Sequence, residues 1–252
     1  MQTAGAAALS WLAGATGSGI VAAVAYRLRA LTGSGACAAT ACGAILYGAG
    51  GWPWVVLMGA FFVTSSALTR IGGGSPPAGR RSLDHLGRRW DQVGANGGIA
   101  TLAAAVHGLT GSPLAFVAAA GALATATADT WATEIGRWSR SRPHLVTTWA
   151  DVPHGTSGGI TAIGTIGAAA GASVIAGLAA LLMPGSEALH TAAAGATLRV
   201  VAGVAAAGFS GALLDSVLGA TIETRWRWAG NSAINLAATA SGAAIALLTA
   251  GR

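Results

Sequence analysis

Long apolar stretches separated by short polar segments make up most of this sequence, and they restrict the folds that the chain can adopt. Of its 252 residues, 53% are hydrophobic and only 9% are charged. A soluble domain carries about 25% charged residues, whereas stretches of roughly 20 apolar residues can cross a bilayer as helices. The sequence therefore predicts an all-α, polytopic membrane protein with one integral membrane domain over residues 1–252.

The apolar stretches predict a transmembrane bundle of seven or eight helices. The second stretch is short for a span, which is why the number is not fixed at eight. The predicted helices are Ala4–Tyr26, Gly35–Gly48, Trp52–Leu68, Val93–Gly108, Leu114–Ala132, Ser157–Met183, Leu198–Thr221 and Ser232–Thr249.

The arginines predict how the bundle is oriented in the membrane. All 14 basic residues are Arg, and 12 of them lie in every second connection between predicted helices. Cytoplasmic loops are enriched in Arg and Lys, so these loops are expected in the cytoplasm and both termini outside. The longest is an Arg-rich loop over residues 70–92, and the expected location is the cytoplasmic (inner) membrane. The absence of Lys excludes the nucleotide-binding loop that ends in Gly-Lys-Ser/Thr.

Two predicted helices carry acidic residues near their cytoplasmic ends. Asp129 and Glu134 follow an uncharged run that begins at Leu114, and Asp215 lies in the seventh helix. With about 1.5 Å of rise per residue, Asp129 lies about 22 Å along its helix, still within a hydrocarbon core of about 30 Å. An ionised Asp there costs about 3 kcal/mol on insertion scales, which favours a functional partner. The alternative is an acid that only reaches the membrane interface.

The surroundings of the two aspartates hint at an internal repeat. Asp215-Ser216 resembles Asp129-Thr130, and both predicted helices run toward the cytoplasm. Glu134 and Glu223 do not keep the same spacing from their aspartates, so the sequence indicates only a weak parallel repeat.

Small and polar residues are predicted to begin three helices at the same cytoplasmic face. Asn96-Gly97-Gly98 begins the fourth helix, Gly155-Thr156-Ser157-Gly158 the sixth, and Asn231 with Asn235 the eighth. Free N–H groups and the positive end of the helix dipole attract anions at such starts. Close packing is the alternative for the glycine pairs, and contacts between helices are the alternative for the two amides.

By this topology, carboxylates, amides, helix starts and arginines converge on one membrane face. Such a set suits a magnesium polyphosphate, because hard oxygen ligands hold the metal while cations and amides bind the phosphate oxygens. Asp129 and Glu134 are about 140° apart around a helix. They can share a metal only if the helix bends or ends between them, or if the site spans several helices.

These motifs resemble those of a membrane protein family catalogued as domain of unknown function ninety-two. That family includes the phytyl-phosphate kinases of plants and cyanobacteria and the animal transmembrane protein nineteen group. The resemblance covers about residue 34 to the C-terminus, and Glu223 departs from it, since an amide is more usual there. The motifs that carry it are Asp91-Gln92-Val93 with Asn96-Gly97-Gly98, the segment Ala124–Gly136, Pro153 with Gly155–Gly159, the segment Leu213–Thr221, and Asn231 with Asn235.

The resemblance implies transfer of a phosphoryl group from a nucleoside triphosphate, CTP more than ATP, to an isoprenoid alkyl monophosphate such as phytyl or geranylgeranyl phosphate. A phosphate monoester has a second pKa near 6, so this acceptor is already ionised and needs no general base. The protein has only to position two anions and offset their repulsion. An alcohol acceptor would instead need a base, for which Asp129 and Asp215 are candidates.

Site residues can be assigned on this hypothesis. Asp129, Glu134 and Asp215 are the predicted catalytic residues and Mg²⁺ ligands, with Asp91 as an additional candidate. The predicted phosphate- and nucleotide-binding residues are Arg88, Arg89, Asp91, Gln92, Asn96, Gly97, Gly98, Arg142, Gly155, Thr156, Ser157, Gly158, Asn231 and Asn235.

Two other functions compete with the phosphotransferase. Embedded acids and Gly-rich helices also occur in ion-coupled transporters, although a carrier needs a site near the midplane and these polar residues gather at one face. Another enzyme acting on prenyl phosphates or CDP-lipids is the second alternative. The expected partner is an isoprenoid phosphate in the membrane, with a homodimer as the candidate assembly and no nucleic acid.

Overall fold

A computed structural model of the chain describes residues 4–72, 87–183, 194–223 and 230–250. Within these ranges the chain forms eight α-helices, and six of them (α1, α3, α5, α6, α7 and α8) are long and apolar enough to cross a membrane. The helices are α1 (Ala4–Arg27), α2 (Gly33–Ile45), α3 (Trp52–Ile71), α4 (Trp90–Thr110), α5 (Leu114–Gly136), α6 (Ala162–Leu182), α7 (Ala194–Leu218) and α8 (Asn231–Ala250). The prediction of an all-α, polytopic membrane protein is confirmed.

Two π-helical turns and two short strands complete the described chain. The π-helical turn Leu46–Gly50 extends α2, and a second one, Gly219–Glu223, extends α7. Between α5 and α6, strands β1 (His144–Leu145) and β2 (Gly159–Ile160) pair antiparallel, with His144 opposite Ile160. Six members of the predicted cationic and polar loops lie outside the described residues: Arg80, Arg81, Asp84, His85, Arg225 and Arg227.

Helix α5 is the axis of the bundle. Its residues from Ala115 to Ala128 are all buried, and it packs against α3, α4, α6, α7 and α8. Small side chains permit this, because Ala and Gly let neighbouring helices approach closely in a membrane. A Cβ added to Gly121, for example, would lie 2.5 Å from the carbonyl oxygen of Gly242 on α8. The uncharged run before Asp129 is therefore buried in protein.

A stripe of glycines brings α6 against the same central helix. A Cβ on Gly164 would lie 2.8 Å from the carbonyl oxygen of Ala132, and one on Gly171 would lie 3.2 Å from that of Thr127. Gly167, between them, faces α5 in the same way. Only glycine fits such a crossing without displacing the helices.

The predicted start of the fourth helix is wrong by one turn. Helix α4 begins at Trp90, and the Gln92 side chain caps it by accepting a hydrogen bond from the Arg89 N–H (2.9 Å). Asn96 therefore lies inside the helix, where its Nδ2 donates to the Gln92 carbonyl (2.9 Å). Asn96-Gly97-Gly98 is not a helix start with free N–H groups.

The predicted start of the sixth helix is also wrong, by five residues. Helix α6 begins at Ala162, and Thr161 caps it by accepting from the Gly164 N–H (3.1 Å). The preceding residues cannot continue the helix, because Gly158 has a positive φ of +77° and Gly159 pairs within the hairpin. The Gly155–Gly158 segment is thus a loop, without a helix dipole of its own.

Candidate functional site

A polar cavity of about 320 Å³ lies at one end of the bundle. It is formed by the last turns of α3, α5 and α7, the first turns of α4, α6 and α8, and the loop between α5 and α6. The predicted site residues that line it are Asp129, Glu134, Asp215, Arg88, Gln92, Asn96, Gly155, Thr156, Ser157, Gly158, Asn231 and Asn235. The structure thus brings together residues from three of the predicted clusters and from the Arg-rich loop.

Five predicted residues do not line this cavity. Arg89 Nε pairs with Asp91 Oδ1 (3.0 Å), and Asp91 Oδ2 accepts from Ser232 Oγ (2.9 Å), so this pair ties α4 to α8. Gly97 and Gly98 are interior helix residues, and Arg142 is exposed on the loop. Side-chain type alone does not separate these residues from those that line the cavity.

The backbone around Arg88 is clamped to the turn between α1 and α2. Its N–H donates to the Ala30 carbonyl (2.9 Å), and its own carbonyl accepts from the Thr32 N–H (3.0 Å). The preceding Gly87 has a φ of +94°, and a Cβ there would lie 2.7 Å from the backbone of Leu31. A residue from the Arg-rich loop is in this way fixed beside α1.

Arg88 is half-buried, and its guanidinium lies on two aromatic rings. Its Cζ lies 5.4 Å from the ring centre of Phe61 and 5.5 Å from that of Phe62, within range of a cation–π interaction. Its Nη1 is buried and has no hydrogen-bond partner among the described residues. Burial lowers the pKa of Arg88 to about 10, and the Glu134 carboxylate opposes that shift. Arg88 is therefore a cation at neutral pH with a donor left for a ligand.

Glu134 is engaged by two protein side chains. It is 6% exposed; its Oε1 accepts from Thr69 Oγ1 (3.0 Å) and its Oε2 from Arg137 Nη1 (2.7 Å). Helix α5 continues without a break to Gly136, so Glu134 lies about 140° around the helix from Asp129. In the described parts of the chain, no three His, Cys, Asp or Glu side chains form a group that could hold a metal. The predicted three-carboxylate ligand set is not formed there.

Asp129 and Asp215 line the cavity from two different helices, α5 and α7. Asn235 contacts Asp215. With the amide nitrogen of Asn235 assigned to the side that faces acceptors, this nitrogen donates to Asp215 Oδ2 (2.9 Å) and to the Asn231 carbonyl (3.1 Å). The prediction that Asn231 and Asn235 share a face at the start of the last helix is confirmed. The Asn235 amide orients an acid on the neighbouring helix, and the Asn231 carbonyl accepts its second hydrogen bond.

The Gly155–Gly158 loop closes the cavity because it packs closely on the end of α7. Gly155 and Gly158 have φ angles of +85° and +77°, a backbone conformation that favours glycine. A Cβ on Gly158 would lie 2.7 Å from the carbonyl oxygen of Ser216. Ser157 Oγ donates to the Glu223 carboxylate, which shows that Glu223 anchors this loop.

Several lining residues were missed by the sequence analysis: Arg137, Thr69, Thr130, Thr133, His154 and Ser216. The spacing of Glu134 and Arg137, three residues apart on a helix, is a signal that could have identified the arginine, since such residues are neighbours on the helix surface. Thr69 carried no such signal, because it comes to Glu134 from a distant helix.

The charges of the cavity fit a metal-bound anion better than an anion alone. Three carboxylates (Asp129, Glu134, Asp215) and two arginines (Arg88, Arg137) line it, and these five side chains together carry a formal charge of −1. A phosphate would be repelled by a net negative site unless a cation accompanied it. Mg²⁺ suits this donor set, since it binds one or two carboxylates and completes its shell with water and substrate phosphates.

Comparisons with known proteins identify relatives along most of the chain. The sequence model of the family described as integral membrane protein DUF92 matches residues 16–243. An uncharacterized membrane protein of Methanocaldococcus jannaschii is 32% identical over 222 residues, which are 87% of this chain and 86% of that protein. The protein PGR of Arabidopsis thaliana is 34% identical over 69% of this chain and 65% of its own length. An uncharacterized membrane protein of a Synechocystis strain is 31% identical over 81% of this chain and 77% of its own. No solved structure matches.

Proposed function

The chain belongs to the DUF92 family of integral membrane proteins, and from this premise we propose that it is a phosphotransferase acting at the cytoplasmic face of the inner membrane. Its substrate is an isoprenoid alkyl monophosphate of the phytyl or geranylgeranyl type. Its phosphoryl donor is a nucleoside triphosphate, CTP in preference to ATP, used with Mg²⁺. The products are the alkyl diphosphate and a nucleoside diphosphate.

One observation carries the proposal: a cation with a buried, unused donor and two carboxylates on neighbouring helices face the same cavity at one end of a membrane bundle. Arg88 Nη1 has no hydrogen-bond partner among the described residues, and buried donors are rarely left without one. A phosphate oxygen is a strong acceptor for a guanidinium. The nearby Asp129 and Asp215 supply the hard oxygen ligands that a metal–phosphate pair requires.

The side chains have separate roles in the proposed reaction. Arg88 and Arg137 bind phosphate oxygens, while Asp129 and Asp215 would hold the metal, with Asn235 orienting Asp215. A Mg²⁺ ion held there would supply positive charge that offsets the charge of the donor phosphates. An oxygen of the alkyl monophosphate bonds to the γ-phosphorus, and the bond from that phosphorus to the bridging oxygen breaks as the nucleoside diphosphate leaves. The acceptor is ionised at pH 7, so no residue needs to remove a proton.

The test is phosphoryl transfer by purified protein in detergent with Mg²⁺ and γ-labelled CTP or ATP. Geranylgeranyl monophosphate, phytyl monophosphate and the two alcohols are the acceptors. We expect label in a diphosphate only with the monophosphates. Asp129→Asn should lower kcat at least ~100-fold, as expected when a group that acts on transition-state charge is lost.

Asp151→Asn is the matched control, since Asp151 is an exposed carboxylate of the α5–α6 loop that does not line the cavity. The kcat of Asp151→Asn should remain within about twofold of the wild-type value, because substitutions at the surface usually have small effects. Full activity of Asp129→Asn would remove the metal role of Asp129. Folded wild-type protein that transfers label to no acceptor would contradict the phosphotransferase, and label in the alcohols would change the acceptor.

A further inference from the structure

A second, apolar cavity of about 450 Å³ lies between α1, α2, α3 and α4. Its walls include Gly17 and Val21 of α1, Cys42 of α2, and Gly59 and Phe62 of α3. Its volume falls within the roughly 300–1,000 Å³ typical of small-molecule sites. We call it the tail cavity.

The tail cavity adjoins the polar cavity. Arg88, Gln92 and Asn96 line both. Phe61 and Phe62, on which the Arg88 guanidinium lies, are walls of the tail cavity alone. A cation and two amides therefore stand at the boundary between a polar chamber and an apolar one.

Beyond this boundary the tail cavity suits a hydrocarbon chain. Its lining extends along α1 from Ala25 to Ala13, about 18 Å at 1.5 Å per residue. Ser18, a polar residue on this wall, is already bonded, since its Oγ contacts the carbonyl oxygens of Gly14 (2.6 Å) and Thr40 (3.0 Å). Apolar cavities of this kind exclude water and bind apolar ligands.

The tail cavity also has an opening toward the lipid. Val21 of α1 and Val55 of α3 both line it, yet they are 62% and 36% exposed. Among the described helices, α1 packs on α2 and α3 packs on α5, while α1 and α3 do not pack closely on each other. A single alkyl chain can enter from the bilayer through the gap between them.

We propose that the tail cavity binds the chain of a single-chain alkyl monophosphate, with the phosphate at Arg88, and that its far end limits the length of the chain. This inference rests on the proposed function for the identity of the ligand. The chain runs from Arg88 along Phe62 and Gly59 toward Tyr47 and Gly14 at the far end. The two cavities together thus define a substrate with one apolar tail and one phosphate.

Two glycines allow the chain-length limit to be tested from opposite walls. A Cβ on Gly17 or on Gly59 meets no atom within 4 Å, so a larger side chain at either position fills the tail cavity and not a helix contact. Gly177 of α6 has the same open space and lines neither cavity. Gly177→Leu is therefore a control with the same substitution in a membrane helix.

The experiment measures binding, so that it does not depend on catalysis. A geranylgeranyl monophosphate with a photoreactive group at the end of its chain is crosslinked to the full-length protein in detergent, and the adducts are mapped by mass spectrometry. Geranyl monophosphate, geranylgeranyl monophosphate and a diacyl phosphatidate serve as competitors. We expect adducts near Gly14, Tyr47 or Val55, and displacement by geranylgeranyl monophosphate but not by the phosphatidate.

Gly17→Leu, toward the far end, should weaken geranylgeranyl monophosphate binding at least tenfold and change geranyl monophosphate binding less than about threefold. Gly59→Leu, one turn from Phe62, should weaken the binding of both. Gly177→Leu should change neither. Adducts on other helices, equal competition by the phosphatidate, or equal loss for both chain lengths in Gly17→Leu would overturn the proposal. If the probe and variants behave as expected but no phosphoryl transfer occurs, the tail cavity binds the alkyl chain as proposed and the proposed phosphotransferase function is wrong.

Discussion

Among single residues, Arg88 and Arg89 show how much two adjacent arginines can differ. Arg88 is clamped to the α1–α2 turn, lies on Phe61 and Phe62, and faces both cavities. Arg89 is exposed and pairs with Asp91. The sequence predicted both as phosphate ligands, because position in a loop does not reveal which side chain a distant helix will cover. Of the two, only Arg88 lines the polar cavity.

Arg88→Gln is predicted to raise KM for the alkyl monophosphate at least tenfold, because a charge-assisted hydrogen bond to phosphate is lost. Arg89→Gln is the neighbouring control. Its KM should stay within about threefold of the wild-type value, since exposed ion pairs contribute little. Steady-state kinetics at several acceptor concentrations measures both. Equal effects of the two substitutions would show that Arg88 has no special contact with the substrate.

The same residue makes a prediction about pH. The pKa of Arg88, lowered to about 10 by burial, leaves it charged from pH 6 to pH 9. Affinity for the monophosphate should therefore rise as the phosphate loses its second proton near pH 6, stay level to about pH 9, and fall as Arg88 deprotonates toward pH 10. In Arg88→Gln the affinity should no longer fall at high pH. If it still falls, another group is responsible for the decrease.

Among the helices, α5 and α6 show why so much of this sequence is Ala and Gly. The closest contacts of α6 are glycines against the backbone of α5, and α5 carries Asp129 and Glu134 at its cavity end. The sequence contains the signal for this contact, since the spacing of Gly164, Gly167 and Gly171 by three and four residues places them on one helix face. It predicted the starts of α4 and α6 wrongly, because those depend on caps supplied by Gln92 and Thr161.

Gly164→Ala is predicted to destabilise the protein by about 1–3 kcal/mol, the usual cost of overpacking. The reason is that the added Cβ would lie 2.8 Å from the Ala132 carbonyl oxygen, so α6 must move away from α5. Gly177→Ala on the same helix, where the Cβ position is open, should change stability by less than about 1 kcal/mol. Thermal unfolding in detergent compares the two. Equal Tm values would show that the α5–α6 crossing tolerates a methyl group.

On the scale of the whole molecule, the polar cavity occupies one end of the bundle. Its lining comes from the last turns of three helices and the first turns of three others, as expected if successive helices run in opposite directions. This one-sided arrangement favours an enzyme over a carrier, which requires a site open to each side in turn. Which membrane face this end occupies stays a prediction from the distribution of Arg.

Single cysteines, introduced after Cys37 and Cys42 are replaced by Ala, test that orientation. Ser141 is exposed on the loop at the cavity end, and Leu109 is 87% exposed near the α4–α5 turn at the other end. A membrane-impermeant maleimide should label Ser141→Cys only in inside-out vesicles and Leu109→Cys only from the outer side. The reverse pattern would invert the topology. Labelling of Ser157→Cys in the cavity from both sides would instead support the transporter.

The sequence by itself determined the membrane class, an all-α bundle of seven or eight helices, and the gathering of polar residues at one end. These follow from local hydropathy and from the distribution of charge, which any segment carries without its neighbours. Only the tertiary structure decided that Arg88 faces the cavities while Arg89 does not, that Thr69 of α3 donates to Glu134, and that a tail cavity exists beside α1. Each of these depends on residues that are distant in sequence and meet only when the helices pack.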